Sequence, residues 1–138
     1  MDVSLWSIFL AAVLQFVIGA VWYSVLFGKQ WAAIHGFDKL TKNTQEAMAK
    51  RMAPFYALQF VLSFVTAYVL AHCIVANQDI VAFKLAAWLW FGFMLPVQVS
   101  AVVFGGTEPK WMVRKIAIMA GGSLVCMLAA AAVIQFVI

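Results

Sequence analysis

The chain has 138 residues, enough for one domain, and 67% of them are hydrophobic while 10% are charged. Soluble domains average about 45–50% apolar and about 25% charged residues, so this composition excludes an ordinary soluble domain and predicts an integral membrane protein in contact with membrane lipids. The net charge of +4 comes from clustered basic residues, which set membrane orientation and do not indicate a nucleic-acid partner.

The first predicted membrane span covers residues 3–27, an uncharged stretch longer than a hydrocarbon core of about 30 Å requires. Neither a preceding Lys or Arg nor a small-residue cleavage pattern marks a signal peptide, so we expect a retained helix. Gln15 and Gly19 lie one helical turn apart, and small and amide side chains favour close helix contact. We predict that this face packs against another helix, with a ligand contact through Gln15 as the alternative.

Aromatic residues and the first positive charge follow at the end of this span, in the order Trp22, Tyr23, Ser24, Leu26, Phe27, Gly28, Lys29 and Trp31. This pattern resembles the signature of the domain of unknown function 1761 family, a group of small bacterial membrane proteins. The family usually carries proline after the serine, where this chain has Val25, so the resemblance does not carry over a proline kink. Chain length and four apolar segments also match, and the resemblance implies a four-helix architecture and no established activity. Trp22, Tyr23 and Trp31 are candidate contacts with lipid or a partner.

Residues 28–52 form a long polar segment that we predict to be a basic cytoplasmic loop. Gly36 is expected to end a short helical extension within it. Asn43, with Glu46 three residues later, is expected to cap the start of another helix. Pro54 then either opens the next span at its first turn or kinks a continuous helix, and the sequence leaves both structures open.

The second predicted span, residues 53–76, carries a mildly polar stripe of Gln59, Ser63 and Thr66 on one helical face. Such a stripe either lines a path for a solute or forms interhelical hydrogen bonds, which contribute on average about 0.6 kcal/mol per contact. His72 lies close to the far end of this span. A histidine there is either an interface residue or a ligand for a haem, pigment or quinone, which makes His72 the candidate cofactor-binding residue.

The third and fourth predicted spans cover residues 83–104 and 116–138. Pro96 is expected to kink the third span, because neighbouring groups in a membrane protein satisfy the carbonyl that proline leaves free. Gly121 and Gly122 give the fourth span a close-packing side. The first and third spans end in similar short sequences. We therefore predict an all-α bundle of four transmembrane helices, in which two hairpins are related by a parallel repeat or are alike by chance.

The distribution of basic residues predicts the orientation of the chain. Eight of the nine Lys and Arg residues lie in residues 28–52 or between the third and fourth spans, and Lys84 lies on the other side. Because cytoplasmic loops carry the excess of positive charge, we predict a multi-pass protein of the bacterial cytoplasmic (inner) membrane with both termini outside. Trp and Tyr side chains are expected to avoid the midplane, with Trp90 among those towards the outer interface.

Reactive groups are sparse in the predicted spans, where no charged residue lies deep. Cys73 and Cys126 form no CxxC pair and are predicted to be small core residues. His35 and His72 are predicted on opposite membrane sides, and the chain has no zinc-type spacing, paired carboxylate or glycine-rich phosphate loop. We therefore expect no catalytic residue, no metal and no cofactor, and the chain is predicted not to be an enzyme.

Three classes of function remain. The favoured prediction is a non-enzymatic accessory or structural subunit that packs against a larger membrane complex or lipid, and a homo-oligomer would use the same faces. The first alternative is a small oligomeric transporter or channel lined by Gln59, Ser63 and Thr66. The second alternative is a pigment, haem or quinone binder through His72.

Overall fold

The computed structural model describes residues 2–137, and every regular element in that range is helical. The α-helices are α1 (Leu5–Val21), α2 (Gly28–Ile34), α3 (Lys42–Ala76), α4 (Ala82–Leu89), α5 (Leu95–Phe104) and α6 (Met112–Val137). Two π-helical turns, Trp22–Leu26 and Trp90–Met94, and two 3-10 turns, Phe37–Lys39 and Pro109–Trp111, connect them. The fold is therefore all-α, as the sequence predicts.

Four helical stretches of the described chain are long and apolar enough to cross a membrane. They are the first span (Leu5–Leu26), the second span (Lys42–Ala76), the third span (Ala82–Phe104) and the fourth span (Pro109–Val137). The prediction of a four-span helical bundle is confirmed by this arrangement. The last residue of the fourth predicted span, at position 138, lies outside the described residues.

The centre of the bundle is the contact between α1 and α6. It consists largely of alanine and isoleucine side chains that are completely buried, namely Ile8, Ala11, Ala12, Ala130, Ala131 and Ile134. Small side chains let the two backbones approach closely, which matters in lipid because apolar area alone does not drive helices together. The pair α1 and α6 is thus held by the shape of its surfaces.

The other two spans lie on the outside of this central pair. α3 packs against α1, and α4 and α5 pack against α6, whereas α3 and α4 contact each other only slightly. Ala82, Ala86 and Val102 are the buried residues of the third span. Most of the surface of the third span is therefore available to lipid or to another protein.

The second span is one continuous helix that contains Pro54, so Pro54 does not begin a new helix. The N-cap of α3 is Thr41 and not Asn43 as predicted, because the Thr41 hydroxyl accepts a hydrogen bond from the Thr44 amide at 3.3 Å. The preceding helical extension does end at Gly36, which has a φ of 70°. Much of the segment predicted as a loop over residues 28–52 is consequently helical.

The two π-helical turns are features that the sequence analysis did not predict. In the first span, the Phe27 amide donates to the carbonyl of Trp22 at 2.9 Å, five residues earlier. In the third span, the equivalent bond runs from Leu95 to Trp90, immediately before Pro96. The predicted repeat pairs the short sequences that end the first and third spans. The first π turn lies within such a sequence, whereas the second lies before Pro96 in the middle of its span. The two π turns therefore do not occupy equivalent positions in the repeat.

Candidate functional site

Gln15 lies at the point where three of the spans meet. Its side chain is 7% exposed, and its amide Nε2 donates to the carbonyl of Ser63 in α3 at 3.3 Å. The carbonyl of Gln15 accepts a hydrogen bond from the Cys126 thiol in α6 at 3.6 Å. Gln15 therefore joins α1 to both of its neighbours, and its amide is used in packing rather than left open for a ligand.

Trp22 begins the first π turn and lies across the two glycines of α6. Its indole Nε1 donates to the carbonyl of Ile118 at 2.8 Å. A Cβ added at Gly122 would lie 2.9 Å from that Nε1, and one added at Gly121 would lie 3.2 Å from ring atom Cζ2. The indole thus occupies the space that side chains at these two positions would fill, and three of the predicted packing residues form one contact.

A second tryptophan, Trp90, makes a similar contact at the start of the other π turn. Its Nε1 donates to the Ser123 hydroxyl at 2.9 Å and to the Ala120 carbonyl at 3.1 Å. The Ser123 hydroxyl also lies 3.0 Å from Oε1 of Gln98. Trp90, predicted for the outer aromatic belt, instead lies near the middle of α6, because its indole N–H has a partner there. This network adds to the packing of Ala82 and Ala86 that joins the third span to α6.

The predicted polar stripe of α3 is not a continuous lining. Ser63 is buried, whereas Gln59 is exposed. The hydroxyl of Ser63 donates to the carbonyl of Gln59 at 3.0 Å, and that of Thr66 donates to the carbonyl of Leu62 at 3.1 Å. Both hydroxyls are thus satisfied within their own helix, a common arrangement for Ser and Thr in apolar surroundings.

His72 and Gly19 stand apart from these contacts. His72 is exposed, its Nδ1 lies 2.8 Å from the carbonyl of Tyr68 and its ring lies 4.3 Å from the Tyr68 ring, centroid to centroid. A Cβ added at Gly19 would meet no neighbouring atom within 4 Å. Within residues 2–137, no three His, Cys, Asp or Glu side chains come close enough to hold a metal ion.

At the basic end of the bundle, α2 and the turn after it face the chain between the third and fourth spans. Between them lies a cavity of about 420 Å³, which we term the end cavity. Its lining includes the cationic side chains of Lys39, Lys110 and Lys115 and the carboxylates of Asp38 and Glu108. The two segments are distant in sequence, and Gly106, with a φ of 79°, shapes the second.

Aromatic rings connect the end cavity to the first span. The ring of Trp31 lies 4.7 Å from that of Tyr23 and 4.5 Å from that of His35, centroid to centroid. The Lys115 ammonium lies 5.7 Å from the centre of the Trp31 ring, a cation–π contact between the two halves of the chain. The predicted contact residues Tyr23 and Trp31 thus pack against each other beside the cavity.

Sequence reasoning missed the end cavity and the Trp90 network. Both basic segments were predicted on one side of the membrane, which indicated that they could contact each other. The place of this contact depends on the turn at Gly106. For Trp90, the nearby Gln98 was a signal that a polar partner lay within the span. A further cavity of about 350 Å³ lies at the opposite end, where Asp79 and Gln135 are among its lining residues.

These contacts and the four apolar helices define a multi-pass helical membrane protein whose spans are joined by tryptophan, glutamine and glycine contacts. Residues 6–135 match the family model described as protein of unknown function (DUF1761), and the chain belongs to this family. The resemblance carried by residues 22–31 is thereby confirmed. Comparisons with curated proteins and with solved structures give no match.

Proposed function

We propose that the protein is a non-enzymatic accessory or structural subunit that packs against a larger membrane complex through its third span. The observation that supports this function is the open surface of that span. It carries large hydrophobic side chains that are mostly exposed, namely Trp88, Phe91, Phe93, Val97 and Phe104. Phe93 and Phe104 are 74% and 86% exposed, so neither is used by the bundle itself.

A small residue lies within this open surface. Gly92 is exposed, and a Cβ added there would meet no neighbouring atom within 4 Å. Gly121 and Gly122 differ from it, because Trp22 already fills the space beside them. Small residues let a helix of another protein approach the backbone closely. Gly92 is therefore available to a partner in a way that the glycines of α6 are not.

The geometry of the polar side chains favours packing over transport. The Ser63 and Thr66 hydroxyls bond to carbonyls of their own helix, and the Gln15 amide is engaged at the bundle centre. A proton-coupled path would use a buried ionisable side chain. Ser7, Gln15 and Ser63 are the buried polar residues of the described chain, and none of them is ionisable.

The location and orientation of the subunit belong to the same proposal. Lys39, in the turn after α2, lines the same cavity as Lys110 and Lys115, which lie at the start of the fourth span. A cytoplasmic position for this end places both termini outside the bacterial inner membrane. Reporter fusions at the C-terminus measure this directly, and a cytoplasmic C-terminus would contradict the orientation.

The test of the partner is extraction of native membranes in mild detergent, followed by native electrophoresis and mass spectrometry. We expect the protein to migrate with a larger assembly, and Gly92→Leu to release it by filling the open surface. Ala57→Leu is the control, because it adds a side chain at an exposed position of α3.

A monomer or small homo-oligomer that moves a solute in liposomes would refute the proposal and favour the transporter alternative. A visible absorption band of the purified protein that is lost in His72→Ala would favour the cofactor alternative.

A further inference from the structure

The geometry points to the end cavity as a binding site for the phosphate group of a membrane phospholipid, with Lys39, Lys115 and Thr107 as the residues that bind it. This site uses residues other than those of the third span. The proposed lipid site therefore does not depend on the proposed partner complex.

The cationic groups of the end cavity differ in how they are paired. The Lys110 ammonium lies 3.4 Å from Oε2 of Glu108, and this is the ion pair found among residues 2–137. Lys39 and Lys115 also line the cavity and have no carboxylate at ion-pair distance in the described chain. Two ammonium groups without a carboxylate partner at one cavity favour an anion with several acceptor oxygens, such as a phosphate.

Carboxylates beside the cavity do not remove this preference. Glu108 is already engaged by Lys110. Asp38 and Lys39 are both exposed, so water and salt screen the repulsion by the one and the attraction by the other alike. Lys115 is partly buried, which makes its charge less screened than that of either. The least screened charge at the cavity is therefore positive.

Thr107 provides an independent observation. Its hydroxyl Oγ1 is buried and has no hydrogen-bond partner within residues 2–137, and Thr107 lines the cavity. Burying a hydroxyl without a partner is unfavourable, so folded proteins usually satisfy such groups. A rotation of the Thr107 side chain would bring this hydroxyl to the cavity, where a phosphate oxygen would accept its hydrogen bond. The unpaired hydroxyl is thus free to take an acceptor from the cavity.

The surroundings favour a phosphate carried by a lipid over a free phosphate. The cavity lies where the first span has ended and the fourth span begins. The ends of membrane spans are expected at the depth of the lipid headgroups. Trp111, Ala33 and Ile34 line it together with the charged groups, and Trp31 lies beside it under Lys115. Indole rings prefer the headgroup region, where one side is apolar and the other is wet.

The test is native mass spectrometry of the full-length protein in detergent, with phosphatidylglycerol as the probe. Diacylglycerol, which lacks the phosphate, and inorganic phosphate alone are the comparison ligands. We expect retention of phosphatidylglycerol but not of diacylglycerol. Lys39→Gln and Lys115→Gln should each weaken retention about fivefold, the effect of one basic residue near an anionic headgroup.

The matched control is the double variant Lys42→Gln and Lys50→Gln, which removes two charges from α3 outside the cavity. Equal loss of lipid in this variant and in the Lys39→Gln, Lys115→Gln double variant would overturn the site. Displacement of the lipid is expected only at high inorganic phosphate. Tight binding of inorganic phosphate without retention of lipid would overturn the lipid assignment.

Thr107→Val separates binding from folding. It keeps the shape of the side chain and removes the unpaired hydroxyl, so the melting temperature of the lipid-free protein should be unchanged or raised. Retention of phosphatidylglycerol should fall in the same variant. A lowered melting temperature with unchanged lipid retention would show that the hydroxyl serves the fold and would refute its role in binding.

Discussion

The central pair of helices and the third span are held by different means. α1 and α6 bury alanine and isoleucine side chains against each other and add contacts from Gln15 and Trp22. The third span buries Ala82 and Ala86 in the same core and adds the network of Trp90, Ser123 and Gln98. Both contacts therefore include small buried side chains, which permit close approach in lipid. The difference lies in the share of each span that is buried, which is far lower in the third span.

The free energy of an interhelical hydrogen bond and the cost of overpacking an interface differ in size, and this difference decides which contacts contribute most to stability. A hydrogen bond between membrane helices contributes on average about 0.6 kcal/mol. Forcing extra atoms into a well-packed interface costs about 1–3 kcal/mol. The fit of Trp22 against the glycines of α6 should therefore outweigh any single polar contact in the bundle.

The largest effect is expected from Gly122→Ala. The added methyl would lie 2.9 Å from ring atoms of Trp22, and moving the indole would lengthen its bond to Ile118. We expect a loss of about 1–3 kcal/mol of unfolding free energy, typical of overpacking. Thermal unfolding of the detergent-solubilised protein measures it.

Two further glycines provide the controls for this substitution. Gly121→Ala should lower the unfolding free energy less than Gly122→Ala, because its methyl would lie 3.2 Å from the Trp22 ring. Gly92→Ala should not destabilise the protein, because the site is open and alanine favours helix more than glycine does. Equal melting temperatures for all three variants would contradict the packing described for Trp22.

An intermediate effect is expected when each indole N–H is removed. Trp22→Phe and Trp90→Phe both lose hydrogen bonds between membrane helices, about 0.6 kcal/mol each on average, and both leave part of the space of the larger indole ring unfilled. Trp22→Phe should lower the melting temperature of the whole bundle. Trp90→Phe should instead raise amide hydrogen exchange mainly in the third span, because that span buries few of its residues. Uniform exchange changes in both variants would show that the third span is not held separately.

The smallest effect is expected from Gln15→Leu. It removes the hydrogen bond to Ser63 and should destabilise the protein by about 0.6 kcal/mol, the average for such bonds between membrane helices. Gln59→Leu is the comparison, because Gln59 lies on an exposed part of α3. It should leave stability unchanged or raise it slightly in detergent. If Gln59→Leu lowered the unfolding free energy more than Gln15→Leu, the description of Gln15 as buried and Gln59 as exposed would be contradicted.

The spans themselves could be predicted because twenty or so apolar residues without charge leave few alternatives in a membrane. The close contact of Gly121 and Gly122 with a neighbour also follows from residue size. The residue that contacts these glycines could not be predicted from the sequence, because its position depends on the π turn that begins at Trp22. A π turn arises from hydrogen bonds five residues apart, and no residue type signals it reliably.

Other differences come from competition between neighbouring groups. Thr41 and Asn43 both favour helix caps, and the choice of Thr41 depends on the 3-10 turn that precedes it. Gln45 donates to the carbonyls of Phe37 and Leu40 and ties that turn to α3. The end cavity could not be predicted from the sequence for a similar reason. The basic residues place its two segments on one side of the membrane, but they do not fix the distance between the segments.

The position of α1 at the centre of the bundle has a consequence for synthesis of the chain. Trp22 bonds to Ile118, 96 residues later, and Gln15 accepts a bond from Cys126, 111 residues later. At about 5–20 residues per second, a ribosome needs several seconds to make the intervening segment. During that interval the indole N–H at the end of the first span has no partner from the fourth. Of the four spans, the first is therefore completed by the fourth, and we expect the fold to close when α6 inserts.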